Sequence, residues 1–268
     1  MDDRRKEQVK TDFLTLFRKE VIGGFNGSVS DGGGEWVVKG FIDIARNIYT
    51  ISTDTKVISK VMELLIFPTL CAFAERNDYK IALCREQNFY PDMTFIDPQG
   101  HKYAVDVKST YRKDDKTVNG MTLGAFTGYF RDRKSTKNVT FPYADYTGHF
   151  VLGIIYSRAD EEIDERRVYT LDELRRIPSV VKNFECFMQE KFAIATDRPG
   201  SGNTKNIGGV TSIEQLKSGK GPFAELGENV FDDYWTHYLT SDMARSAELG
   251  GPLYKNLKQY KEFKNITP

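Results

Sequence analysis

Cysteine is scarce in this chain of 268 residues: Cys71, Cys84 and Cys186 are odd in number, widely spaced and without a Cys-x-x-Cys pair. That argues against a disulfide framework and a thiolate zinc site, and it matches unpaired thiols of a reducing compartment, so a cytoplasmic location is expected. Excess charge of either sign is also missing, with 38 basic residues set against 38 acidic ones. Net charge therefore neither supports nor excludes a nucleic-acid partner, since local basic clusters can still make a groove positive. The opening "MDDRRKEQVK" has no apolar stretch of a leader, and no uninterrupted apolar run approaches bilayer-spanning length, so no membrane partner is expected. Gly-x-x-x-x-Gly-Lys-Ser/Thr is absent, which removes a phosphate-binding P-loop and with it a nucleotide cofactor. Gly-x-Ser-x-Gly is absent too, and His101, His149 and His237 have no evident nucleophile partner.

What is present is a composition 40% hydrophobic, sufficient for a substantial core. Apolar residues at helical spacing over 10–21 predict a helix stopped by Gly23 and Gly24, and the glycine-rich "GGFNGSVSDGGGEW" reads as a surface loop or short hairpin turn. "STDTKVISKVMELLIFPTLCAFAERND" is the strongest helix signal, capped by Thr53 or Asp54, carrying Glu63 mid-helix, and kinked or divided by Pro68. "YPDMTFID" and "KYAVDVKSTY" read as strands joined by the turn Asp97-Pro98-Gln99-Gly100. The apolar run 150–156 predicts a central strand covered on both faces. A short strand and capped helix follow in "VYTLDELRRIP", then a strand in "KFAIATD" and a polar loop in "RPGSGNTKNIGG". Helices near 212–217 and over 231–245 lead to a basic, aromatic tail. With no repeat and no long linker, residues 1–268 are expected to form a single α/β domain around a central mixed β-sheet flanked by helices.

The chemistry concentrates in the hairpin 88–110. An acid-x-Lys triplet recurs along the chain, at Asp54, Asp114 and Glu262 among others, but Asp106-Val107-Lys108 falls on a predicted strand and follows the sole Pro-Asp pair, Pro91-Asp92. Alternation along a strand puts Asp106 and Lys108 on one face and Val107 on the other, in the core. The hairpin can bring Asp92 alongside. Two converging carboxylates repel, and a hard divalent cation with oxygen ligands relieves that repulsion while keeping waters free for a phosphate. Lys108 beside it could orient the attacking water and stabilise charge on the phosphate. The competing reading is a lysine bridging two surface carboxylates, which from the hairpin alone stands equally well.

"PD", a spacer and "DVK" resemble the PD-(D/E)xK nuclease superfamily, and the flanking text is similar to the EcoRV-type restriction endonucleases. "TDTKVISKVMELL", "EQNFYPDMTF", "AVDVKSTY", "STKNVTFPYADY", "GSGNTKNIG" and "DDYW" occur in the family's order from about Asp54 to Trp235, whereas the N-terminal stretch and the tail after Asp242 match poorly. The resemblance implies a restriction-endonuclease-like fold and a Mg²⁺-dependent type II enzyme acting on double-stranded DNA as a homodimer. It implies Asp92, Asp106 and Glu63 as metal-binding acids, all catalytic together with Lys108. Gln87 and Asn88 would approach the minor groove. The segment 198–209 would be the recognition loop, with Gly200, Ser201, Gly202, Asn203 and Thr204 entering the major groove, and Thr55, Ser109, Thr110, Ser135 and Lys137 would touch the backbone or inner bases. The same resemblance suggests the target GATATC, cut bluntly. Departures are a shorter turn between the catalytic strands, Ser135 where the family has Asn, and a rearranged basic C-terminal segment. Rival readings are another nuclease of the superfamily, such as a mismatch-repair nicking enzyme or junction resolvase, and a DNA-binding module without catalysis.

Overall fold

A computed structural model describes residues 2–31, 33–86, 88–159, 163–200 and 203–266, the side chains of Asp3, Asn203 and Thr204 apart. Asp2 caps the first helix, α1 (Asp3–Phe17), by accepting from the Arg5 N–H, and a π-helical turn carries the chain on to Ile22. The glycine-rich stretch after it is not only loop, because Phe25–Val29 form a short helix, α2, and Phe25, Val29 and Trp36 are buried. Three large apolar side chains among the glycines gain more by packing than the segment loses in chain freedom.

β1 (Gly40–Ile42) and β2 (Ile48–Thr50) precede the long helix α3 (Thr55–Arg76), whose N-cap is Asp54 and which continues unbroken through Pro68. Division at the proline does not occur. α3 is also long and apolar enough to cross a membrane by length and composition alone, although Lys60 and Glu63 interrupt its apolar run. Ile58, Met62, Ile66, Leu70 and Phe73 place its apolar side in the protein core instead.

Next come β3 (Lys80–Leu83), β4 (Met93–Ile96), β5 (Lys102–Tyr111), β6 (Thr122–Ala125), β7 (Tyr146–Arg158), β8 (Val168–Tyr169) and β9 (Val181–Glu190). β10 (Ala195–Gly200) and β11 (Asn203–Gly209) then pair antiparallel, so the expected polar loop is a hairpin. The C-terminal helices are α4 (Ile213–Ser218), α5 (Glu228–His237), α6 (Ser241–Ser246) and α7 (Leu257–Lys264); the helix expected over 231–245 is thus two.

Among the described residues the strands form a central sheet in the order β3-β4-β5-β7-β9 and two smaller sheets, β1-β2-β8 and β10-β11-β6. β5 and β7 run parallel and the other central pairs antiparallel, which makes the sheet mixed. Successive residues of β7 serve opposite cores: Phe150, Leu152 and Ile154 pack with α1 and α3, Val151 and Ile155 with the C-terminal helices. That two-sided burial is why its sequence is almost continuously apolar. One charged group joins the layers. Lys10 on α1 is 2% exposed, with its ammonium 2.9 Å from Glu7, 2.7 Å from Glu190 and 3.0 Å from Glu228. Burial works against its charge, but Glu228 and Glu190 outweigh burial and hold its pKa above the ordinary lysine value.

Candidate active site

β4 and β5 pair from Met93↔Val105 to Ile96↔Lys102, so continuing that register puts Asp92, one residue before β4, at the level of Asp106 on β5. The Val107 N–H donates to Asp92 Oδ2 at 2.7 Å. Val107 itself points into the core beneath α3, while Asp106 lies on the opposite face and is nearly buried. Lys108 Nζ stands 2.5 Å from Asp106 Oδ2 and donates to the Val107 carbonyl at 3.3 Å. Sequence alternation thus predicted these directions correctly.

The electrostatics match an enclosed acidic pair. Burial first, then the Asp106 charge, push the Asp92 carboxyl up to about 7, and Lys108 and the Val107 N–H only partly offset them. Lys108 loses from burial but gains more from Asp106 and Asp92, which raise its pKa, so its ammonium persists. Asp92 and Lys108 open into a cleft of about 760 Å³ whose other wall is α3, including Thr55, Ser59 and Glu63. Ser59 and Ser109 hydroxyls, 2.6 Å apart, tie that wall to β5.

Glu63 faces the cleft but is paired with Lys60 on its own helix at 2.7 Å. Among the described residues no three acids, histidines or cysteines converge as a ready metal cage. The donors that do converge are the Asp92 and Asp106 carboxylates and the Val107 carbonyl, all hard oxygens. Such a set fits Mg²⁺, which is usually held by one or two carboxylates and completes its shell with water and phosphate oxygen.

The remaining expected contacts are spread more widely. Thr55, Ser109 and Thr110 all line the cleft, Thr110 mostly buried with its hydroxyl donating to the Asn119 carbonyl at 2.7 Å. Ser135 accepts from the Lys137 N–H in a turn away from the cleft, and Asn88 and Lys137 are exposed. Gln87, Ser201 and Gly202 lie outside the described residues, and only the backbone of Asn203 and Thr204 is described. Gly200 is buried at the end of β10, where a Cβ would meet the Thr122 methyl at 2.4 Å.

A family model for restriction endonuclease EcoRV matches residues 32–265, including the tail expected to match poorly. The chain belongs to the EcoRV restriction endonuclease family. It is 34% identical over 229 residues to the type II restriction enzyme EcoRV of Escherichia coli, covering 84% of this chain and 90% of that protein. As an EcoRV-type enzyme it is a site-specific deoxyribonuclease of type II, and the family acts on double-stranded DNA with a divalent metal ion. The sequence reading missed a group behind the catalytic hairpin. Tyr90 is hydrogen-bonded to His149 at 2.9 Å, Tyr143 stacks on that imidazole at 3.8 Å, and the buried Lys191 ammonium lies 4.9 Å from the Tyr90 ring centroid. A lysine and a histidine set among apolar neighbours, in "FMQEKFAI" and "GHFVLGII", are the signal that could have found it.

Proposed function

We propose that this EcoRV-type enzyme uses Mg²⁺ to hydrolyse one phosphodiester in each strand of the palindrome GATATC, at its centre, as a two-fold symmetric homodimer. The observation that supports the chemistry is that Asp92 and Lys108 line the cleft, with the buried Asp106 ion-paired to Lys108 directly behind them. When bound, Mg²⁺ supplies positive charge to the scissile phosphate and relieves the repulsion between the carboxylates. Asp92 and Asp106 hold it, and Glu63 is the auxiliary acid on the opposite wall. Lys108 orients the attacking water and meets charge developing on the phosphate. The water oxygen bonds to phosphorus, the bond to the 3′ oxygen breaks, and that oxygen takes up a proton, leaving 5′-phosphate and 3′-hydroxyl ends.

Gly200, Ser201, Gly202, Asn203 and Thr204 read base edges in the major groove, with Gln87 and Asn88 at the minor groove and Thr55, Ser109, Thr110, Ser135 and Lys137 on the backbone or the inner bases. Support for GATATC comes from the retained text "GSGNTKNIG", and the flexible TA step at the centre makes bending there cheap. Support for the homodimer comes from the sheet β1-β2-β8, which leaves Phe41, Ile42, Tyr49 and Val168 between 44% and 59% exposed. Residues 1–268 act as one domain, with the catalytic hairpin at 88–110 and the reading segment at 198–209, in the cytoplasm. Digesting a plasmid of known sequence with Mg²⁺ and sequencing the ends tests this reading. Blunt ends within GATATC are expected; staggered ends, another site or nicks at mismatches would overturn it.

A further inference from the structure

Lys191 follows β9 directly, and its backbone N–H donates to the His149 carbonyl at 2.8 Å. Its side chain is 2% exposed, and Nζ has no hydrogen-bond acceptor among the described residues. Three ring faces surround that ammonium instead, with centroids at 4.9 Å for Tyr90, 5.4 Å for Phe130 and 5.5 Å for Tyr143. Gly124, at φ +87°, completes the chamber, and a Cβ there would stand 3.6 Å from Nζ and 3.3 Å from the Tyr129 hydroxyl. Cation–π contacts do not recover what is lost in desolvating a lone ammonium. A methionine of similar length would fill the same space without that cost.

The chamber lies against the catalytic residues. Tyr90 is two residues before Asp92 and is held on both backbone sides, its N–H donating to the Asn138 carbonyl and its carbonyl accepting from Thr140. Asp106 projects from the same face of β5 as Ala104, which packs in one cluster with Tyr90, Phe130 and Tyr143. Burial draws the Lys191 pKa down to about 8, and Asp106 is the strongest influence pulling it back up. We propose that Lys191 is a positioning residue whose ammonium, gripped by Tyr90, Phe130 and Tyr143, fixes the segment leading to Asp92 and balances the charge of Asp106 from the side away from the cleft. The fold accepts the desolvation of this lysine for the sake of the reaction and not for stability.

This inference rests on the assignment of Asp92 and Asp106 as the catalytic acids, and Lys191→Met tests it because it removes the charge and keeps the bulk. The Met variant is expected to melt at or above the wild-type temperature and to bind duplex target in Ca²⁺ within about two-fold of wild type. Its single-turnover cleavage at saturating Mg²⁺ and DNA is expected to be at least ten-fold slower. Cleavage within two-fold of wild type would overturn the proposal, as would a melting temperature that falls along with the rate, since either outcome leaves the lysine a packing role only. Wild type and Asp106→Ala run alongside separate the two levels: an active Asp106→Ala protein would refute the site assignment itself, whatever Lys191→Met does.

Discussion

The hairpins proposed for catalysis, β4-β5, and for base reading, β10-β11, are held in opposite ways. β5 lies inside the central sheet, in parallel register with β7 from Lys102 to Tyr111, and its residues face a core on either side. The reading hairpin belongs to a separate small sheet with register shifts, and its glycines bring backbones close: a Cβ on Gly208 would meet the Arg198 carbonyl at 2.7 Å. It is braced from behind, where Tyr234 donates to the Asp197 carbonyl at 2.6 Å and the Leu257 N–H to the Asp197 carboxylate at 2.9 Å. Chemistry that fails when displaced by an ångström would, on the proposed assignment, sit on the most fully paired and packed part of the sheet. The proposed base reading falls on an element of a separate small sheet, anchored to the core through Ile207.

Substitutions should therefore divide into rate effects and discrimination effects. Asp106→Ala or Asp92→Ala should lower single-turnover cleavage in Mg²⁺ by roughly 10³-fold or more while leaving the protein folded, and turnover like wild type in either would refute the mechanism. Lys108→Ala should still bind metal and target but cleave about 10²-fold slower or worse, because its charge acts mainly in the transition state. If it merely neutralises the carboxylates, the Ala variant should bind metal more tightly and cut almost normally once saturated. In the reading hairpin, Asn203→Ala should lose about 1–3 kcal/mol of discrimination per lost base contact, with weak, salt-dependent binding to random DNA preserved. An unchanged rate and selectivity would make that segment an ordinary surface hairpin.

Titration sharpens the contrast further. The Asp92 carboxyl is moved from 3.8 to about 7, so between those values the folded, metal-free protein keeps a proton that the unfolded chain has released. Metal-free stability should fall as pH rises through that interval and level off above it, losing at most about 1.4 kcal/mol for each pH unit crossed. Asp92→Asn should remove this slope in denaturant melts, and metal affinity of the wild type should rise over the same range as the proton ceases to compete. The smallest effect belongs to the brace: Tyr234→Phe should cost about 1 kcal/mol in stability and alter discrimination without changing metal affinity.

Much of the catalytic hairpin was legible because alternation along a strand and a Pro-Asp pair are local signals, and β5 obeys them residue by residue. β9 was not legible. Lys182, Asn183 and Glu185 interrupt its apolar pattern, Asn183 sits at φ +56°, and the pairing with β7 shifts register beside it. β3 and β6 span only four residues each and gain their order from neighbours distant in sequence. The reading hairpin looked like a loop because its glycines signal freedom, whereas here they allow close packing. The Lys191 chamber draws on Tyr90, Gly124, Phe130 and Tyr143, and no local window contains that combination.

The Lys10 network gives the order of synthesis a physical meaning. Phe13 can stack on Tyr103, with centroids 4.1 Å apart, once β5 has been made, so α1 can dock by apolar contact while half the chain is still to come. Its ammonium must wait for Glu190 and then Glu228, the latter 218 residues downstream, on the order of ten seconds later at ordinary elongation rates. During that interval a cation destined for burial lacks its partners from β9 and α5, and α1 is held by the apolar contacts of Phe13, Leu14, Leu16 and Phe17. The arrival of α5 converts a reversible docking into a closed structure, so the first helix made is among the last to be locked.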